Sequence, residues 1–236
     1  MQKMIKKYFD NRKTVIALIL ILLVICATAG GTLAYLGSVT GEKENVFTGA
    51  ENIRARLSEP NWEEAEGLKL VPGKKVKKDP MITNTGMTDE YAAIRLTFQD
   101  KEGETLSDPD LKSLLNLLDI TWNSKWKLCG GTMTITSGEV TAMEQPLIFY
   151  YEEALSPGEI SDPVFSNIRV KDQSDGLTEQ QLRWLQGIKI VNGEIKTDTS
   201  GIGSFAIQAE GSAVQALGFA DAAAAADSLK ALFPPL

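Results

Sequence analysis

Histidine is absent from all 236 residues of the chain. That removes the commonest general base, the commonest zinc ligand and every Ser-His or Cys-His nucleophile pair. Cysteine is nearly as scarce, with Cys26 and Cys129 the two copies. Because Cys26 falls in an apolar leader, a chain cut behind it keeps Cys129 alone and forms no internal disulfide. A Gly-x-Ser-x-Gly elbow, a phosphate loop, a dinucleotide fingerprint and a His-Glu-x-x-His zinc motif are all missing. Most catalytic classes fall with them, so the sequence predicts no enzyme, no cofactor and no metal site.

Long apolar runs are also lacking, with one exception. Lys3, Lys6, Lys7, Arg12 and Lys13 precede an apolar run from Thr14 to Ala27, and small residues follow at Ala29, Gly30 and Gly31. This is the order of a signal peptide, read here as residues 1–35, with processing expected around Ala29, Ala34 and Tyr35. The competing reading is a retained anchor, since extension to Leu36 reaches the roughly 20 residues that span a bilayer. Cleavage is preferred because small residues break the run where a peptidase would cut. A lipoprotein through Cys26 is disfavoured by Ile25, where Gly, Ala or Ser would be wanted.

Residues 1–34 hold five basic side chains against Asp10, which leaves nineteen basic and thirty acidic residues beyond them, a formal charge of −11. Such a body repels phosphate backbones and anionic lipid, so neither nucleic acid nor, after processing, a membrane is expected as a partner. The hydrophobic fraction of 43% suits one folded domain of ordinary composition.

Within that domain the periodicity is mostly that of strands. Ile53, Ala55 and Leu57 alternate with Arg54 and Arg56, and Ala92, Ile94, Leu96 and Phe98 alternate with more polar neighbours. Lys74 to Lys78 reads as an exposed, lysine-guarded edge ended by Asp79-Pro80. Further strands are expected over 120–126, 146–151, 164–170, 188–191 and 205–210, with turns at Gly130-Gly131, Ser137-Gly138 and Pro157-Gly158. Asp108 with Pro109 is placed to start one helix, Thr178 with Gln181 has capping-box spacing before a second, and Asp221 can cap an alanine-rich third that packs on the body or hangs free. The expected fold is mainly β, an antiparallel sandwich with two or three short inserted helices. Its segments are an N-terminal extension and candidate donor strand over 36–57, a β-sandwich body over 58–218, and an alanine-rich helix and tail over 219–236.

The stretch Gly30-Gly31-Thr32-Leu33-Ala34-Tyr35, then Asn45-Val46-Phe47-Thr48-Gly49, Leu57-Ser58-Glu59-Pro60-Asn61-Trp62, Leu70-Val71-Pro72-Gly73, Lys78-Asp79-Pro80 and Thr83-Asn84-Thr85-Gly86 occur in that order. With Ala206-Ile207-Gln208-Ala209-Glu210-Gly211 and the alanine-rich tail, they resemble the TasA and camelysin family of exported Gram-positive proteins, processed by a dedicated signal peptidase. The chain departs from the family pattern at Tyr35-Leu36-Gly37-Ser38, where an acidic residue often follows the aromatic. The resemblance implies a jelly-roll sandwich and a secreted subunit of biofilm-matrix fibres, joined by donated N-terminal strands. For this chain the donor face is that of Ile53, Ala55 and Leu57, the principal partner is a further copy of the chain, and other matrix proteins or the cell wall are further partners. Camelysin has been described as a metalloprotease, so a secreted protease is the alternative, disfavoured because zinc would lack imidazole ligands. A membrane-tethered surface adhesin is the third reading.

Other clusters have ordinary explanations. Glu63, Glu64 and Glu66, the pair Glu152 and Glu153, and Asp172 with Asp175 offer calcium-type oxygens, but their spacing fits no EF-hand, so solvated surface charge accounts for them. Trp122, Trp126 and Trp184 are expected in core or rim packing, one of Tyr150 and Tyr151 in the core, and Cys129 as a buried or partly buried small hydrophobe.

Overall fold

The computed structural model describes residues 36–37, 53–62 and 71–235, all within one compact unit. Its centre is the strand that alternates most clearly in sequence, β5 (Glu90–Asp100). Ala92, Ile94, Leu96 and Phe98 are buried as the period of two requires, but Ala93, Arg95 and Thr97 on the other face are buried as well. β5 lies inside a five-stranded sheet of order β1-β12-β5-β8-β7, where β1 is Leu36–Gly37, β7 Trp126–Thr136, β8 Glu139–Tyr151 and β12 Phe205–Gln215; one face packs on the second layer and the other beneath the C-terminal helix. β12 runs antiparallel to β5 over eleven residues, from Phe205 opposite Asp100 to Gln215 opposite Glu90. β1 adds a two-residue parallel bridge at Phe205 and Ala206.

A second layer faces this sheet. β3 (Lys75–Lys77), β9 (Phe165–Val170) and β6 (Leu118–Trp122) pair in the order β3-β9-β6, while β2 (Ala55–Ser58) pairs antiparallel with β4 (Met81–Asn84). Backbone bonds continue between the two groups: Val164 N–H donates to Pro80, Ser161 N–H to Ile82, and Thr83 bridges Ile160. Phe98, Leu147, Phe149, Phe165, Ile168 and Ile82 fill the space between the layers. Among the described residues the fold is thus mainly β, with antiparallel sheets and three helices.

The helices form where capping chemistry allows. α1 (Asp108–Leu117) is capped by Ser107, one residue earlier than the sequence suggests, with Asp108 and Asp110 in its first turn. It buries Leu111, Leu114, Leu115 and Leu117. α2 (Glu179–Gln186) carries the expected capping box of Thr178 and Gln181 and stops at Gly187, in the left-handed region at φ 64°. α3 (Ala222–Ala231), capped by Asp221, does not hang free: Ala225 and Leu229 pack on Ala93 and Ile148, sealing the outer face of the five-stranded sheet. Arg95 reaches from that face to Glu210 and to the Pro234 carbonyl.

Three expectations need correction. Gly130-Gly131 is no turn but lies inside β7, where the register with β8 shifts on both sides of Gly130. Gly131 takes φ +73°, and a Cβ there would sit 2.2 Å from the Glu144 carbonyl oxygen, so only glycine fits the bulge. Second, β10 (Ile188–Val191) does not close the β body: it pairs with β11 (Glu194–Thr197) in a separate hairpin turned by Asn192-Gly193, both at positive φ. Third, Lys78 is not a surface lysine; its side chain is fully buried.

Candidate functional site

The donor residues were expected on one face of an N-terminal strand; Ala55 and Leu57 lie in β2, and Ile53 precedes it. Ala55 is buried, while Ile53 and Leu57 are half-buried against the main core. β2 lies on the body of its own chain, with Ala55 opposite Asn84 and Leu57 opposite Ile82. Among the described residues β4 is its one hydrogen-bonded partner strand, so β2 is an edge strand of four residues.

Two polar clusters hold the ends of this strand. At its start, Arg54 N–H donates to Glu90 Oε1 at 2.8 Å, while Glu90 Oε2 is buried without a hydrogen-bond partner. Glu90 is 1% exposed, and burial pushes its carboxyl up to about 7 against the opposing Arg54 bond. At the other end, Glu59-Pro60-Asn61-Trp62 forms a turn closed by Trp62 N–H to the Glu59 carbonyl at 3.1 Å. Asn61 donates through its backbone N–H and Nδ2 to Asp79 at 3.1 and 2.6 Å, fastening the turn to the 78–79 segment. Lys78 Nζ meets Glu59 Oε1 at 2.8 Å and Oε2 at 3.0 Å, under the Trp62 ring at 4.7 Å. The two side chains are 0% and 1% exposed. Burial pushes the Lys78 ammonium below the usual lysine range, with Glu59 and Asp79 pulling the other way.

Elsewhere the layers leave a groove of mixed character. Among the described residues β6 pairs with β9 alone and β7 with β8 alone, so each is the free edge of its sheet. Between them opens a space of about 220 Å³, lined by Leu118, Ile120, Trp122, Met133 and Val140, with the charged Asp119 and Lys171 also on its wall. Ile135 is exposed at the mouth, while Trp122 forms an inner wall, stacked on Phe149 and edge-on to Phe165. Asn116 of α1 braces one end, trading hydrogen bonds with the backbone of Val140.

Searches of protein-family models, curated proteins and solved structures gave no match. The site therefore stands on its own geometry.

The remaining candidates separate cleanly. Ala29, Ala34, Tyr35 and the cluster of Glu63, Glu64 and Glu66 lie outside the described residues. Glu152 pairs with Lys127 at 3.3 Å and Glu153 with Lys125 at 3.0 Å. Asp172 and Asp175 form a capping box on a short 3₁₀ turn, Gln173–Asp175, and Asp175 also holds Arg169. Among the described residues no three His, Cys, Asp or Glu converge on a metal position. Tyr151 is the core tyrosine, Trp126 donates from Nε1 to the Asp162 carbonyl, and Trp184 packs half-buried at the core. Cys129 sits half-buried beneath α3. The pairing of Lys78 with Glu59 was not foreseen in the sequence, because nothing local marks two charges nineteen residues apart as partners. Lysine repetition pointed the other way.

Proposed function

We propose that the chain is a secreted structural subunit of extracellular-matrix fibres, of the kind its resemblance to the TasA and camelysin family implies. Subunits would join when the N-terminal segment over 36–57 leaves one copy and adds to a sheet edge of the next. The observation that carries this reading is the presence, in one chain, of a short edge strand, β2, and of a partly apolar groove between β6 and β7, each an edge strand among the described residues. The first supplies a segment with three apolar side chains on one face. The second supplies edge-strand backbone, free of a pairing strand among the described residues, beside Trp122, Met133 and Ile135. The sandwich is read as a jelly roll on the same resemblance.

Negative-stain imaging of the purified processed protein over time tests the reading. Filaments are expected from the natural chain and short particles from Met133→Lys, which puts a charge into the groove while leaving β2 intact. Filaments of unchanged length from a folded Met133→Lys protein would remove this groove as the acceptor. Dispersed natural protein that cleaves casein would favour the protease alternative.

A further inference from the structure

The Glu59–Lys78 pair sits in an arrangement that an ordinary surface ion pair never reaches. Both side chains are withdrawn from solvent. The ammonium nitrogen lies almost equidistant from the two carboxyl oxygens, at 2.8 and 3.0 Å. Both carboxyl oxygens are thus in contact with the nitrogen, so the two groups need no search to meet. Burial disfavours the charged ammonium and pushes Lys78 toward the free amine, the form that acts as a nucleophile.

We propose that Lys78 and Glu59 condense to an amide, a side-chain cross-link between the turn that follows β2 and the segment that joins β3 to β4. One ammonium proton passes to a Glu59 oxygen as the freed lone pair of Lys78 Nζ forms a bond to Glu59 Cδ. The C–OH bond of the acid then breaks, and the hydroxyl leaves with an amine proton as one water. No electrons change hands and no co-reactant is needed. The surroundings favour the forward step: Asp79 anchors Asn61 and so holds the turn, Trp62 covers the nitrogen, and burial keeps out the water that would reverse the bond. Preorganisation of this kind replaces a bimolecular encounter, which is what makes an otherwise slow amide formation accessible.

The link fastens the chain at Glu59 and leaves the segment over 36–57 on its N-terminal side. It forms within the isolated subunit and does not rest on the fibre reading; a failure of fibre growth and a failure of the link give different readings. The experiment is intact mass spectrometry of the folded, purified full chain in whatever processed form accumulates, followed by digestion and fragment sequencing. The expected mass is one water below that of the sequence, with a branched peptide joining Glu59 to Lys78. Lys78→Met, which fills the same space without a nucleophile, should restore the full mass. A folded natural chain at its full mass, or a lost water traced to other residues, overturns the proposal and leaves a buried ion pair only.

Discussion

Glu90 is the residue through which pH acts on this fold. Its carboxyl is pushed up to about 7 by burial, while in the unfolded chain it returns to the ordinary carboxylate range. The folded state thus holds this proton more tightly, so the stabilisation is fully present below the unfolded pKa and is lost as pH rises through about 7. Between pH 5 and 8 the loss is on the order of 2–3 kcal/mol. With no histidine in the chain, no other side chain ordinarily titrates in that window. Thermal melts of the natural protein should therefore fall from pH 5 to pH 8, whereas Glu90→Gln should flatten the profile. A natural profile as flat as that of the variant would show that Oε2 is solvated in solution. Gly131 offers a backbone counterpart. Gly131→Ala must fit a Cβ against the Glu144 and Pro146 carbonyl oxygens at positive φ, and should cost about 2–4 kcal/mol in denaturant unfolding.

At the scale of elements, the docking of α3 can be read through one thiol. Cys129 lies beneath the helix, and burial, helped by Asp227, pushes it up to about 11 against the pull of Lys230. Ala225→Glu drives a charge into the fully buried contact with Ala93 and Ile148 and should lift the helix. Cys129 alkylation at pH 8 should then accelerate about a hundredfold as the thiol returns to its ordinary range. The same elements show what could be read in the sequence. α2 was legible because Thr178, Gln181 and Gly187 encode their own start and stop locally. β5 and β12 were legible because alternation reports a face directly. The bulge at Gly131 was not, since glycine marks a turn and a close approach with the same letter. Nor was Lys78, because a lysine's burial is decided by a partner far along the chain. The separate β10–β11 hairpin had its signal in Asn192-Gly193, but the apolar Ile188 and Ile190 read more strongly as body strand.

For the whole molecule, the proposed assembly depends on the face of Ile53, Ala55 and Leu57. Ile53→Asp with Leu57→Asp removes two apolar contacts, each worth about 1.5–3 kcal/mol when buried, and adds charge against the core. Filaments should disappear, and a peptide covering residues 53–58, added in trans, should both cap growing natural filaments and restabilise the double variant. Sedimentation and circular dichroism read the two effects separately. A variant that unfolds and gains nothing from the peptide would place β2 permanently in its own sheet. Another consequence comes from the β10–β11 hairpin, whose residues from Lys189 to Thr197 are largely solvent-facing and pack on neither sheet. Trypsin should nick it at Lys189 and Lys196, yet the piece beyond the cut carries β12, paired over eleven residues with β5, and α3, which seals the sheet. The two pieces should stay together after cleavage. Produced apart, they should find each other again, which would make the chain a natural split protein whose reunion reports that two tethered bodies have met.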